Sequence, residues 1–223
     1  MNKIVYIIIV LFCFTSCHHI KQDFYPNGML KSEIEYKGRK QDGRAIYYNV
    51  DGTKMLELYM KNGKKEGRMR TFFFNGNVET ESYFHNDLLH GMESTFNLTG
   101  VKLSEQEYKQ GVKDGIYRTW HDRDVLQCSG TFKNNLWDGH WEYYDLRGFL
   151  VGEGDFVEGN GVEKSYTEVG VLYKTTTYQQ NCKNGEERYF DSHGNVVKVI
   201  VYQDDKIISI NGEWKETIKD TIE

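Results

Sequence analysis

The chain has 223 residues, with 28 Lys and Arg against 33 Asp and Glu and a formal net charge of −5. A mildly acidic chain lacks the basic footprint that nucleic acid demands, which excludes nucleic acid as a partner. An aromatic content of 14% beside 22 glycines fits a chain of aromatic-packed turns, and an unbroken internal repeat makes it one domain rather than two.

Met1-Asn2-Lys3 followed by Ile4 to Phe14 reads as a one-charge n-region and a short apolar h-region. The run is too short to cross a bilayer as a helix of about 20 residues. Phe14-Thr15-Ser16-Cys17 resembles a lipobox, which makes residues 1–16 a signal peptide and Cys17 the lipidated first residue of the mature protein. The competing reading is an ordinary cleaved signal with an incidental cysteine. Loss of Lys3 with the leader leaves 27 basic against 33 acidic residues, a balance of 27 − 33 = −6. Cys17-His18-His19-Ile20 places no aspartate after the cysteine, so the outer membrane is the expected destination, with a periplasmic or surface-facing chain. Residues 17–23 are expected as a tether.

From residue 24 the chain repeats every 24 residues. Gly28, Gly52, Gly76, Gly100 and Gly148 form one series, with Asp124 in the skipped slot, and Gly43, Gly67, Gly91, Gly115 and Gly139 form a second. Phe24, Tyr48, Phe72, Phe96, Trp120 and Tyr144 recur in step, as do Tyr36, Met60, Phe84, Tyr108, Phe132 and Phe156. A two-residue deletion between Phe156 and Gly161 shifts every series, which then resumes through Gly161, Gly170, Gly185 and Gly194. Both glycine series are read as repeat turns, because glycine accepts the positive φ of tight turns. The segment after each first-series glycine alternates with the strand period. Leu30, Ser32, Ile34 and Tyr36 take one face, and Lys31, Glu33 and Glu35 the other. The expected fold is all-β: one elongated antiparallel meander of hairpins, eight copies over residues 24–205, with some sixteen strands spanning about 75 Å at ~4.8 Å each. Residues 206–223, with Ile207, Ile208, Ile210 and Trp214, are expected as a C-terminal cap and tail.

Small residues at the same-face positions Thr80 and Ser82, Cys128 and Gly130, Gly152 and Gly154 would admit rings from neighbouring hairpins. A glutamate recurs on the opposite face at Glu33, Glu57, Glu81, Glu105 and Glu153. It is either a solvated row with Lys and Arg partners or a cation-binding strip.

The pattern Tyr-x-Asn/Asp-Gly, then Glu, then Tyr-Lys-Asn-Gly-Lys-x-x-Gly resembles the bacterial variant of the MORN repeat. It is seen in residues 25–43, 49–67 and 74–91. Tandem copies of this kind are grouped with YwqK-type proteins, a grouping that implies an antitoxin role.

Cys128 in a strand and Cys182 in a loop lie two copies apart, roughly 19 Å by strand spacing, so no disulfide is expected between them. The seven histidines show no metal-ligand spacing, and no phosphate loop, catalytic triad order or nucleophile elbow occurs. The chain is expected to be no enzyme and to need no cofactor or metal. Trp137, Trp141 and Tyr143 form a candidate binding patch for an unknown envelope protein, with stacking between hairpins as the other reading. Three functions follow: a lipid-tethered scaffold for another protein, an antitoxin or immunity protein, and a binder of carbohydrate or choline-like ligands through aromatic cages.

Overall fold

The computed structural model describes residues 18–121 and 124–212. The leader, the Cys17 lipidation position and Trp214 lie outside them. The described chain is a single open antiparallel sheet in which each strand pairs with the next, β7 and β8 counting as one. Its strands are β1 (His18–Phe24), β2 (Leu30–Lys37), β3 (Lys40–Tyr48), β4 (Lys54–Lys61), β5 (Lys64–Phe72), β6 (Val78–His85), β7 (Leu88–Leu89), β8 (Gly91–Phe96) and β9 (Lys102–Lys109). They continue with β10 (Val112–Trp120), β11 (Leu126–Lys133), β12 (Leu136–Tyr144), β13 (Leu150–Val157), β14 (Asn160–Tyr166), β15 (Leu172–Gln179), β16 (Cys182–Phe190), β17 (Val196–Gln203) and β18 (Lys206–Gly212). β7 and β8 are two halves of one strand, both paired with β6 and separated at His90.

The sheet exceeds the expected repeat at both ends. Residues 18–23, expected as a tether, form β1 and pair with β2 from His18↔Lys37 to Phe24↔Leu30. Ile20, Gln22 and Phe24 alternate with Lys21 and Asp23, the period of a strand, and short range alone hid it. Residues 206–212, expected as cap, form β18 and complete the eighth hairpin.

Two kinds of turn alternate. The first series of glycines sits in five-residue turns, as where Tyr25 N–H donates to Met29 O at 2.8 Å and Gly28 has φ +86°. Asp124 takes the same conformation in its slot, with φ +62°. The other edge carries two-residue turns such as Asn62–Gly63, where both residues have positive φ, the geometry that matches strand twist. Asn134–Asn135 and Asp204–Asp205 adopt it without glycine, since short polar side chains tolerate the left-handed region.

The second glycine series is therefore corrected. Gly43, Gly67, Gly91, Gly115, Gly139 and Gly185 have positive φ but lie inside returning strands, at places where the register slips. At Gly43 the slip falls between the pairs Ile34↔Ala45 and Tyr36↔Gln41. The Glu35 carboxylate bonds the N–H of Arg44 there at 3.0 Å, and a β-carbon on Gly43 would lie 2.0 Å from its Oε2. Gly161 differs again. The pairing of β13 with β14 runs without a slip from Gly152↔Ser165 to Val157↔Asn160, so the two deleted residues are the bulge itself. Gly161 lies within the paired strand, where a β-carbon would meet Asp155 O at 2.1 Å and the Phe156 ring at 2.7 Å.

Successive hairpins are locked along the two-residue-turn edge. Gly63 N–H donates to Gln41 O at 2.8 Å, Gly111 to Leu89 O at 2.7 Å and Gly159 to Trp137 O at 2.7 Å. Side chains one residue before the bulge glycines reinforce this. Asp42 accepts from Asn62 N–H at 3.0 Å, Glu66 from Asn86 N–H at 3.0 Å and Asp138 from Glu158 N–H at 3.1 Å. Each copy thereby satisfies the turn donors of the next.

The two faces differ. One carries Ile34, Ala45 and Leu58, packed by Tyr36, Tyr47, Leu56, Met60 and Met69, and further along Cys128, Trp141 and Phe156. The other carries the glutamate row. Arg44 and Lys54 pair with Glu57 at 2.6 and 3.1 Å, and Arg118 and Lys102 with Glu105 at 2.9 and 3.0 Å. Arg70 pairs with Glu81, Lys164 with Glu153 at 3.5 Å, and Gln22 donates to Glu33 at 2.8 Å. The row is one of carboxylates held by Lys and Arg within and across strands, with an amide partner at Glu33; Glu57 is buried rather than solvated.

Candidate interaction surface

Trp137, Trp141 and Tyr143 come together, and the strand register explains how. Trp141 pairs opposite Gly154, and a β-carbon on Gly130 would lie 2.2 Å from the indole. Two glycines thus flank the slot into which the largest side chain fits. Trp141 is 2% exposed and its indole N–H donates to Thr131 O at 3.2 Å, so it anchors the surface rather than presenting itself. Trp137 and Tyr143 are half-buried.

The rings interlock. Trp137 lies 5.2 Å from both Phe156 and Tyr178 and 5.6 Å from Trp141, while Tyr117 lies 5.5 Å from Phe132, edge to face. Such pairs add to plain burial. Around them opens a depression of about 410 Å³, lined by Tyr117, Phe132, Trp137, Trp141 and Tyr143 and by Lys113, whose Nζ sits 5.0 Å over Phe132. The rings stack on one another and line the depression at once, with Trp137 and Tyr143 left partly exposed. Tyr144, next in sequence, turns to the other face and bonds Glu142.

Cys128 lies beneath this cluster, and burial pushes its thiol up to about 12, the setting of an inert packing cysteine. Cys182 is free and opens β16 directly after a turn, a strand position where a loop was expected.

Sequence reasoning missed the carboxylates on this same face. Glu163, Thr176 and Glu187 face one another across β14, β15 and β16. Glu187 is 2% exposed and is held by Lys183 Nζ at 2.8 Å, Tyr189 Oη at 2.8 Å and Thr176 Oγ1 at 3.2 Å. Those partners hold its carboxyl below the ordinary value against desolvation. Glu163 goes the other way: burial raises it, against Lys174 and Lys183 and with the repulsion of Glu187. The signal was present, since both occupy the slot held by Ala45, Met69, Tyr117 and Trp141 in other copies. Among the described residues no group of three or more His, Cys, Asp or Glu could hold a metal.

Residues 20–37 and 65–86 match the family model of the MORN repeat variant. The hairpins in these two segments are similar to MORN-variant repeats. Both matches frame a five-residue turn with a strand on each side, β1–β2 and β5–β6. The MORN-variant unit is thus centred on the first glycine series, and the first unit begins inside the segment expected to be a tether. No curated protein matches the chain. MORN repeats serve in general as protein- and membrane-interaction motifs and as non-enzymatic scaffolds.

Proposed function

We propose that this chain is a non-enzymatic scaffold that docks another protein on the aromatic depression of its sheet, held at a membrane by lipid on Cys17. The observation that carries the reading is the ring cluster itself. Half-buried Trp and Tyr side chains over a rigid, fully packed indole are the composition of an interaction hot spot. The rigid backing matters, because rings already fixed by packing lose little entropy on binding. The lipobox-like Phe14-Thr15-Ser16-Cys17 and the short apolar leader support the tether, and the expected site is the envelope with the outer membrane as anchor.

Recovery of partners from detergent-solubilised envelopes, using intact protein, tests this directly. A protein captured by the parent and lost with both Trp137→Ala and Tyr143→Ala establishes the depression as the docking site. Capture that survives both substitutions refutes it. The partner's chemistry separates the readings: a toxin inactivated on capture makes this an immunity protein of the YwqK type. Retention on cell-wall glycan in place of any protein makes it a carbohydrate binder. Cys17→Ala that still fractionates with membranes removes the lipid tether from the proposal.

A further inference from the structure

An open sheet leaves two edge strands, and the first of them is uncovered along its whole length. All seven residues of β1 are exposed, with Ile20 at 57% and Phe24 at 58%. Its inner side is occupied by β2. The outer side offers a row of backbone donors and acceptors, the template on which a further strand pairs.

The side chains of β1 say which strand fits. Gln22 bonds Glu33 on the carboxylate face, and Ile20 and Phe24 share its parity. On the opposite face His19 stacks on Tyr36 at 5.5 Å and Lys21 lies 3.9 Å from Asp23. A second copy of β1, brought alongside antiparallel by a two-fold axis normal to the sheet, keeps these faces. Residues directly opposite must then share parity, leaving three central registers. Centring on Lys21 sets Lys21 against Lys21, and centring on Asp23 sets Asp23 against Asp23. Centring on Gln22 sets Ile20 against Phe24, Lys21 against Asp23 and Gln22 against its own copy. Apolar meets apolar, opposite charges meet twice and amide meets amide. Cross-strand pairs of these kinds stabilise a sheet, and like charges directly opposite destabilise it.

The geometry points to a homodimer joined edge to edge through β1, in the register centred on Gln22, that continues the MORN-variant sheet from one chain into the next. The end strand β18, Lys206-Ile-Ile-Ser-Ile-Asn-Gly, contains no acidic residue and cannot pair its lysine in this way. The charge complementarity that favours self-pairing is therefore a property of β1 and not of β18.

Register-specific cross-linking of the full chain tests this. In the dimer the two copies of residue 22 are opposite, within the ~5.5 Å that a disulfide spans, whereas the two copies of residue 21 are roughly 8 Å apart. Gln22→Cys is expected to give about tenfold more disulfide dimer under mild oxidation than Lys21→Cys or the parent. Lys21→Asp should weaken self-association by about tenfold in sedimentation, and adding Asp23→Lys should restore it. Because β1 is exposed, none of these changes disturbs the core. Equal cross-linking at 21 and 22, or self-association indifferent to Lys21→Asp, overturns the inference.

Discussion

The two cores on one face of this sheet solve the same packing problem in opposite ways. In the first repeats the slot on the outgoing strand holds a large aliphatic, Ile34 or Leu58, and the facing slot on the returning strand holds Ala45. In the middle repeats the outgoing slot is emptied to Gly130 and Gly154, and the facing slot holds Trp141. The bulk sits on the outgoing strands in the first case and on the returning strand in the second. Interiors pack to a nearly fixed density, so what each slot tolerates is set by its cross-strand neighbour rather than by the repeat consensus. The inversion also shapes the face around it. Placing the volume in one indole braces a neighbouring set of rings, whereas the aliphatic core has no such array.

The sharpest way to break the comparison is to empty the aromatic core. Trp141→Ala should cost about 3–5 kcal/mol through lost burial and a cavity that glycine neighbours cannot fill. Because repeat arrays couple mainly to their neighbours, hydrogen exchange should show protection lost over β11–β14 and kept over β2–β5. Uniform loss across the sheet would show that the two cores are one cooperative unit. The counterpart in the aliphatic core, Leu58→Ala, should cost roughly 2–4 kcal/mol, with the pattern of lost protection reversed.

Gly130→Ala tests the inversion itself. One methyl group placed 2.2 Å from the indole must displace it, and overpacking of this kind costs about 1–3 kcal/mol. The same substitution combined with Trp141→Leu should cost less than the sum of the two alone. Additive losses in thermal unfolding would mean that the glycine serves something other than room for the ring.

The smallest effect concerns pH. Burial raises the Glu163 carboxyl above the ordinary glutamate value, so the folded state binds this proton more tightly than the unfolded one. The resulting stabilisation is present below the ordinary glutamate range and is lost as pH rises through the folded value. Glu163→Gln should therefore raise the melting temperature at pH 7 and leave it unchanged near pH 3. A variant less stable than the parent at pH 7 would show that the lysines at 174 and 183 outweigh burial.

Much of the architecture was legible in residue spacing. The 24-residue period fixed the number of hairpins between Gly28 and Asp205 and the antiparallel meander. Small residues at 130 and 154 announced the approach of rings, though not which rings. What spacing misread was the second glycine series, because a turn glycine and a bulge glycine both need positive φ and look alike in a sequence. The two-residue turns explain why the two aromatic series part company, since they pair residues of opposite parity, as in Tyr36↔Gln41. Core-facing residues are even-numbered on outgoing strands and odd-numbered on returning ones, so Tyr48 and Phe72 take the carboxylate face, where Lys54 lies 5.1 Å over Phe72 and Tyr166 bonds Glu153 at 2.6 Å.

The sequence by itself determined that the chain is a one-dimensional stack of β-hairpins, since hydrophobic period and turn chemistry are local properties that repeat with the residues. Only the tertiary structure decided which side chains share a face. Face depends on pairing across the two-residue turns, which reverse numerical parity, and on the glycine bulges, which insert two residues and so preserve it. It also decided that residues 18–24 are an edge strand, because a strand is defined by the partner it pairs with, and that partner lies beyond the turn.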